Sequence, residues 1–172
     1  MIKHRCADHR VAINTEILII GTFNPEVPEN EADFFYGRGR NGLWTFLAES
    51  FGVEDLKTRS KEQKMDFIRG HRIDFIDLIA EIDKAPTNYE DRFLDQHVIK
   101  WNDVIGTIAG LKSLKKACVS RKGFSDVPKI KKRVEEIESH LNERQITFRR
   151  LHTPGRAHKR GKPEWLDFFR NS

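Results

Sequence analysis

Cysteine is scarce in this 172-residue chain. Cys6 and Cys118 are too few for a cluster ligated by four thiolates or for a disulfide framework, and Cys118, inside an apolar run, reads as core. No apolar run approaches the roughly 18 residues a membrane-spanning helix needs. The opening Met1-Ile2-Lys3-His4-Arg5 also lacks the apolar centre of a secretory signal, so a soluble, cytoplasmic protein without a membrane partner is expected, nucleoid-associated if bacterial or archaeal. There is no Gly-x-x-x-x-Gly-Lys-Ser/Thr, and no Gly-x-Gly-x-x-Gly follows an apolar strand; Gly37-x-Gly39 alone is too little to bind a nucleotide. His4, His9, His71, His97 and His140 are scattered without ligand spacing, so they read as surface or core-edge residues, and neither metal nor cofactor is expected. Internal repeats, low-complexity tracts and linkers are absent, which leaves one domain over residues 1–172.

What the chain does have is charge. Lys and Arg outnumber Asp and Glu by 31 to 26, a net +5, and the basic excess falls in the C-terminal half, which favours a polyanionic partner such as nucleic acid. Charged residues make up 33% and hydrophobic ones 38%, and the clear apolar runs argue for folding rather than disorder.

Four short apolar runs, at residues 16–21, 73–79, 116–119 and 146–151, read as buried strands. Between them apolar residues recur at helical spacing: Leu43, Phe46, Leu47 and Phe51; Met65 and Ile68; Val98, Trp101, Val104, Ile105, Ile108 and Leu111; Ile130, Val134, Ile137 and Leu141 behind Pro128. Trp101, on the third stripe, reads as core. A final short helix over residues 164–169 is separated from the preceding loop by Gly161-Lys162-Pro163, and Trp165, Phe168 and Phe169 would staple it to the sheet. Each crossover has room for a helix, so the expected architecture is a three-layer α/β/α sandwich with a short four-stranded parallel sheet.

In such a sheet ligands bind at the carboxyl ends of the strands. The first strand ends in Gly21-Thr22-Phe23-Asn24-Pro25, which by itself is also an ordinary turn. Phe34-Phe35-Tyr36 would be core in most settings. They lead, however, into Gly37-Arg38-Gly39-Arg40-Asn41, where glycine permits close backbone approach and arginine supplies phosphate contacts. After the last strand comes Leu151-His152-Thr153-Pro154-Gly155-Arg156-Ala157-His158-Lys159-Arg160, with Lys162 beyond it, a strongly phosphate-attracting stretch.

These segments, in this order, resemble the uracil-DNA glycosylase superfamily, which builds a base pocket from a Gly-x-Asn/Asp-Pro turn, an aromatic segment ending in Asn-x-Phe-Trp, and a His-Pro-Ser-like last loop. Arg40-Asn41-Gly42-Leu43-Trp44 is most similar to the hypoxanthine-DNA glycosylase or mismatch-specific branch, and Ile73-Asp74-Phe75-Ile76-Asp77-Leu78-Ile79-Ala80 resembles that branch's second strand, placing Asp77 at its aspartate. The first turn has one residue more than the family form, Arg38-Gly39 replaces a more usual x-Pro, Leu43 replaces an aromatic, and the last loop aligns with either Leu151 or His152 at the family's histidine.

The resemblance implies a monomeric DNA-repair glycosylase that flips a deaminated base, uracil or hypoxanthine, out of damaged or mismatched DNA and hydrolyses its N-glycosidic bond. It implies Asn41, Asn24 and His152 as catalytic residues, and Gly21, Thr22, Phe23, Phe35, Tyr36 and Asp77 as base-binding ones. Arg38, Arg40, Thr153, Arg156, His158, Lys159, Arg160 and Lys162 would contact DNA. Asparagine does not take up a proton near neutral pH, so its role is to orient water or bind the base edge. Two alternatives remain open: a glycosylase-like DNA-binding domain without turnover, and a small-molecule nucleoside or nucleotide hydrolase.

Overall fold

The computed structural model describes residues 1–86, 90–155 and 158–171, without the side chains of His158 and Lys159. Its elements, in chain order, are β1 (Ile2–Lys3), β2 (Ile17–Gly21), α1 (Leu43–Phe51), α2 (Lys61–Gly70), β3 (Ile73–Asp77), β4 (Ile79–Ile82), α3 (Asp91–His97), β5 (Val98–Trp101), α4 (Val104–Gly110), β6 (Lys116–Val119), α5 (Pro128–Glu143), β7 (Thr147–Arg150) and α6 (His158–Arg170).

β2 is buried throughout because it is central: it pairs in parallel with β3 on one side and β6 on the other, and β6 pairs in parallel with β7, giving the order β3-β2-β6-β7. Side chains alternate across a strand, so one apolar run serves two cores. Leu18 and Ile20 join Val104 and Ile108 of α4 and Ile130, Val134, Ile137 and Leu141 of α5. Ile17 and Ile19 join Leu43 and Leu47 of α1, Ile68 of α2, and Trp165 and Phe168 of α6. The expected three-layer α/β/α arrangement around a four-stranded parallel sheet follows. Pro128 occupies the first turn of α5, where its missing N–H costs nothing, and Cys118 is fully buried.

Several elements differ from expectation. The run 73–79 is not one strand. The Leu78 and Ile79 N–H groups donate to the Gly21 and Thr22 carbonyls at 2.9 and 3.0 Å, turning the chain out of the parallel sheet. β4 then pairs antiparallel with β1 and β5 in a second, three-stranded sheet, order β1-β4-β5.

The stripe from Val98 to Leu111 is likewise not one helix: Val98–Trp101 is a strand, and helix starts only at Val104, where Asp103 accepts the Gly106 N–H at 2.8 Å as N-cap. Trp101 is therefore a half-buried strand residue, with the Arg133 guanidinium 5.3 Å from its ring centroid.

The last helix begins at His158 rather than Glu164, so residues 161–163 lie inside it. Trp165 and Phe168 are buried as expected. The C-terminal end of α6 is held by buried Lys116, whose ammonium donates to the Phe168 and Asn171 carbonyls at 2.5 and 2.6 Å; burial lowers its pKa.

Candidate functional site

Strand order reverses at β2: the chain moves outward to β3, then returns past β2 to β6. Loops leave the carboxyl ends of these strands in opposite directions and open a crevice between them. A cavity of about 150 Å³ lies there. The loop after β2 contributes Gly21, Thr22, Phe23 and Asn24, and the loop before α1 contributes Tyr36, Gly37, Arg38 and Asn41. Asp77 comes from the end of β3, Ser120 from the end of β6, Thr153 from beyond β7, and Asp91 and Leu94 from α3. Residues spread over more than 130 positions of sequence thus meet at one sheet edge.

The floor is polar and tightly packed. A Cβ on Gly21 would stand 2.2 Å from Asp77 Oδ1 and 2.8 Å from the Tyr36 hydroxyl, so glycine is required for close approach. Tyr36 adopts φ 54°, a costly conformation for a bulky residue. Its hydroxyl donates to Ser120 Oγ at 2.8 Å and its ring packs 5.7 Å from Phe75. Burial pushes the Tyr36 phenol well above its ordinary range, and the Asp77 carboxylate adds to the rise. Asp77 is itself buried and bonded through Oδ2 to His4 Nε2 at 2.7 Å. His4 is thus neither a surface nor a core-edge residue, but a buried partner of the site.

The two asparagines are placed differently. Asn24 is buried, its Oδ1 accepting from Asn30 Nδ2 at 2.6 Å and its Nδ2 reaching the Ala32 carbonyl at 3.4 Å, so its amide braces the loop over residues 24–32. Asn41 is half-buried, and its Oδ1 accepts the Leu43 N–H at 3.0 Å at the start of α1. Phe23 and Tyr36 line the cavity, whereas Phe35 does not; Phe35 is buried in the aromatic core, stacked on Phe75 with centroids 5.5 Å apart.

His152 also stands outside the cavity lining. Its Nδ1 lies 2.9 Å from Glu164 Oε2 on α6, and that carboxylate also meets Lys122 Nζ at 2.5 Å. Burial raises the Glu164 carboxyl, but the Lys122 and His152 bonds outweigh it and hold the group down at about 2. Neighbouring Thr153 is the cavity residue of this loop among the described residues. Gly161 explains the pairing: a Cβ there would lie 2.9 Å from His152 Cβ, so α6 runs tight against the loop.

Of the other expected DNA contacts, Arg38 reaches the cavity, Arg40 and Arg160 are exposed, and Lys162 pairs with Glu49 at 2.6 Å. Arg156 and the side chains of His158 and Lys159 lie outside the described residues. No group of three or more His, Cys, Asp or Glu among the described residues is placed to hold a metal ion, and no described helix is long and apolar enough to cross a membrane.

No family model and no curated protein matches the chain. A solution NMR structure from Methanosarcina acetivorans, described provisionally as a uracil DNA glycosylase, matches with a TM-score of 0.66 at 21% identity, covering 99% of this chain and 98% of that one. The two proteins share one fold. At this identity the likeness lies in the scaffold and not in the side chains its loops carry.

Sequence reasoning missed His4, Ser120 and Asp91. Nothing local marks them: His4 meets Asp77 across 73 positions and Ser120 meets Tyr36 across 84. Sheet order brings the end of β6 with Ser120 beside the loop after β2, and the N-terminal segment closing over β3 brings His4 to Asp77.

Proposed function

We propose that this chain is a DNA glycosylase that hydrolyses the N-glycosidic bond of a deaminated base, uracil or hypoxanthine, extruded from DNA. The observation that carries this reading is the convergence of the Gly21-to-Asn24 turn, the Tyr36-to-Asn41 segment and Thr153 around one cavity at the switch point of the sheet. The whole-length likeness to a protein described as a uracil DNA glycosylase supports the same reading.

A base inside a duplex hides its glycosidic bond, and extrusion costs a few kcal/mol, least for a mismatched pair. In the proposed reaction Phe23 or Tyr36 stacks on the extruded base, and Asp77 accepts a ring N–H. Asn41 orients a water toward C1′. The C1′–N bond breaks with its electron pair leaving on the base; the water oxygen bonds to C1′, and its proton is released as the base is protonated. The abasic sugar and free base are the products. His152, committed to Glu164, braces the last loop in this scheme, while Arg40 and Arg160 meet phosphates alongside Arg38, Arg156, Lys159 and Lys162.

One observation favours a second reading, a glycosylase-like DNA-binding domain without turnover: the Asn24 amide is engaged by its own loop and His152 is turned to α6. Incubation with duplexes carrying one uracil, hypoxanthine or xanthine separates the two. Alkali-labile breaks at uracil or hypoxanthine are expected. Salt-sensitive binding with no break on any duplex overturns turnover and leaves the binding domain. Absence of binding leaves a small-molecule hydrolase.

A further inference from the structure

Two histidine–aspartate pairs join the N-terminal segment to β3: His9 Nε2 lies 2.7 Å from Asp74 Oδ1, and His4 Nε2 lies 2.7 Å from Asp77 Oδ2. Asp74 and Asp77 stand an odd number of residues apart on one strand and leave it on opposite faces. Of the two, only Asp77 reaches the cavity at the carboxyl edge.

The pair at Asp77 has a direction. The Cys6 backbone N–H donates to His4 Nδ1 at 2.9 Å, which needs a lone pair on that nitrogen. The ring proton therefore sits on Nε2 and is donated to Asp77 Oδ2. The ring is 4% exposed and packs against Phe23 and Phe35, each with its centroid 5.5 Å away. With Oδ2 engaged, Oδ1 is the oxygen set against Gly21 on the cavity floor. The terminal torsion of a carboxylate is intrinsically broad, so the His4 bond is what selects which oxygen faces Gly21.

Resting on the glycosylase reading above, the geometry points to His4 as a positioning residue: its Nε2–H pins Asp77 so that Oδ1 is held as a single acceptor for an N–H of the base in the cavity. The His9–Asp74 pair provides an internal control, since it ties the same segment to the same strand without facing the cavity.

The test compares His4→Phe, His4→Gln and His9→Phe with the wild type in single-turnover base release from duplexes carrying one deoxyuridine or one deoxyinosine. His4→Phe is expected to slow release by roughly tenfold or more relative to His9→Phe, the scale of one lost hydrogen bond to a charged group. His4→Gln, which returns an amide N–H near the Nε2 position, is expected to recover most of that loss. Equal rates in His4→Phe and His9→Phe overturn the inference, as does a His4→Gln no faster than His4→Phe. If the wild type releases neither base, it is the glycosylase reading that falls, and the ring ¹⁵N spectrum of wild-type His4 then decides the positioning role. A neutral ring with a slowly exchanging Nε2–H supports it; a proton on Nδ1 overturns it.

Discussion

Asp77 Oδ1 occupies the space where a side chain at residue 21 would begin, 2.2 Å from a Cβ built on Gly21. The end of β2 and the end of β3 are register partners, so neither strand can yield independently. Gly21→Ala is therefore expected to displace Asp77 or Tyr36 and to cost about 1–3 kcal/mol, the range for overpacking a close-packed site. The urea midpoint measures this. A variant as stable as the wild type contradicts the packing described.

Asn24 and Asn41 are expected to respond differently. Asn24→Ala removes one of the two acceptors of Asn30 Nδ2, the Pro25 carbonyl being the other, together with the Asn24 bond to the Ala32 carbonyl, and should destabilise by about 1–2 kcal/mol. Asn41→Ala loses one bond to the Leu43 N–H and should cost about 0.5–1 kcal/mol, while abolishing most base release. Thermal melting and single-turnover rates measured on both variants give the split. A fully active Asn41→Ala removes Asn41 from the reaction.

Acid should loosen the last loop. The Glu164 carboxyl lies below its ordinary value of 4.5, at about 2, because the Lys122 and His152 bonds overcome the opposing effect of burial. A carboxyl depressed in the folded state stabilises it fully above the unfolded value, and that contribution is lost as the pH falls through the folded one. Stability should thus drop between pH 4.5 and about 2, and Glu164→Gln should show a shallower drop. Melting temperatures across that range test the sign; parallel curves refute it.

Neither cysteine should react in the folded protein. Burial, with the Asp77 charge second, pushes the Cys6 thiol up to about 11, and burial alone holds Cys118 well above its usual range. Since the thiolate is the reactive form, alkylation at pH 8 should label neither thiol in buffer and both in denaturant. Rapid labelling of Cys6 in buffer would show that the N-terminal segment opens.

The sheet was largely legible before the structure because its signal is local. Apolar runs such as Ile17–Gly21 and Lys116–Val119 carry their burial on every residue, and the i, i+4, i+7 stripe of α5 fits only one periodicity. Val98 to Trp101 misled because four residues are too few to separate a strand from the start of a helix, and the pairing with β4 that decides between them comes from elsewhere in the chain. Residues 73–79 misled for a related reason: the break at Leu78 is made by carbonyls of another strand.

Sequence alone determined that an α/β sheet would form and that its Gly21 turn, its Tyr36-to-Asn41 segment and its last loop would gather at one edge, because strand direction and crossover length follow from apolar spacing. Which side chains of those loops face the cavity was decided only by tertiary structure. Thr153 rather than His152, Tyr36 rather than Phe35, and His4 behind Asp77 are outcomes of α6 pressing on the last loop, of the left-handed turn at Tyr36 and of the N-terminal segment closing over β3. The physical reason is range: burial patterns are written in neighbouring residues, whereas a side chain's hydrogen-bond partner is set by whichever distant backbone arrives beside it.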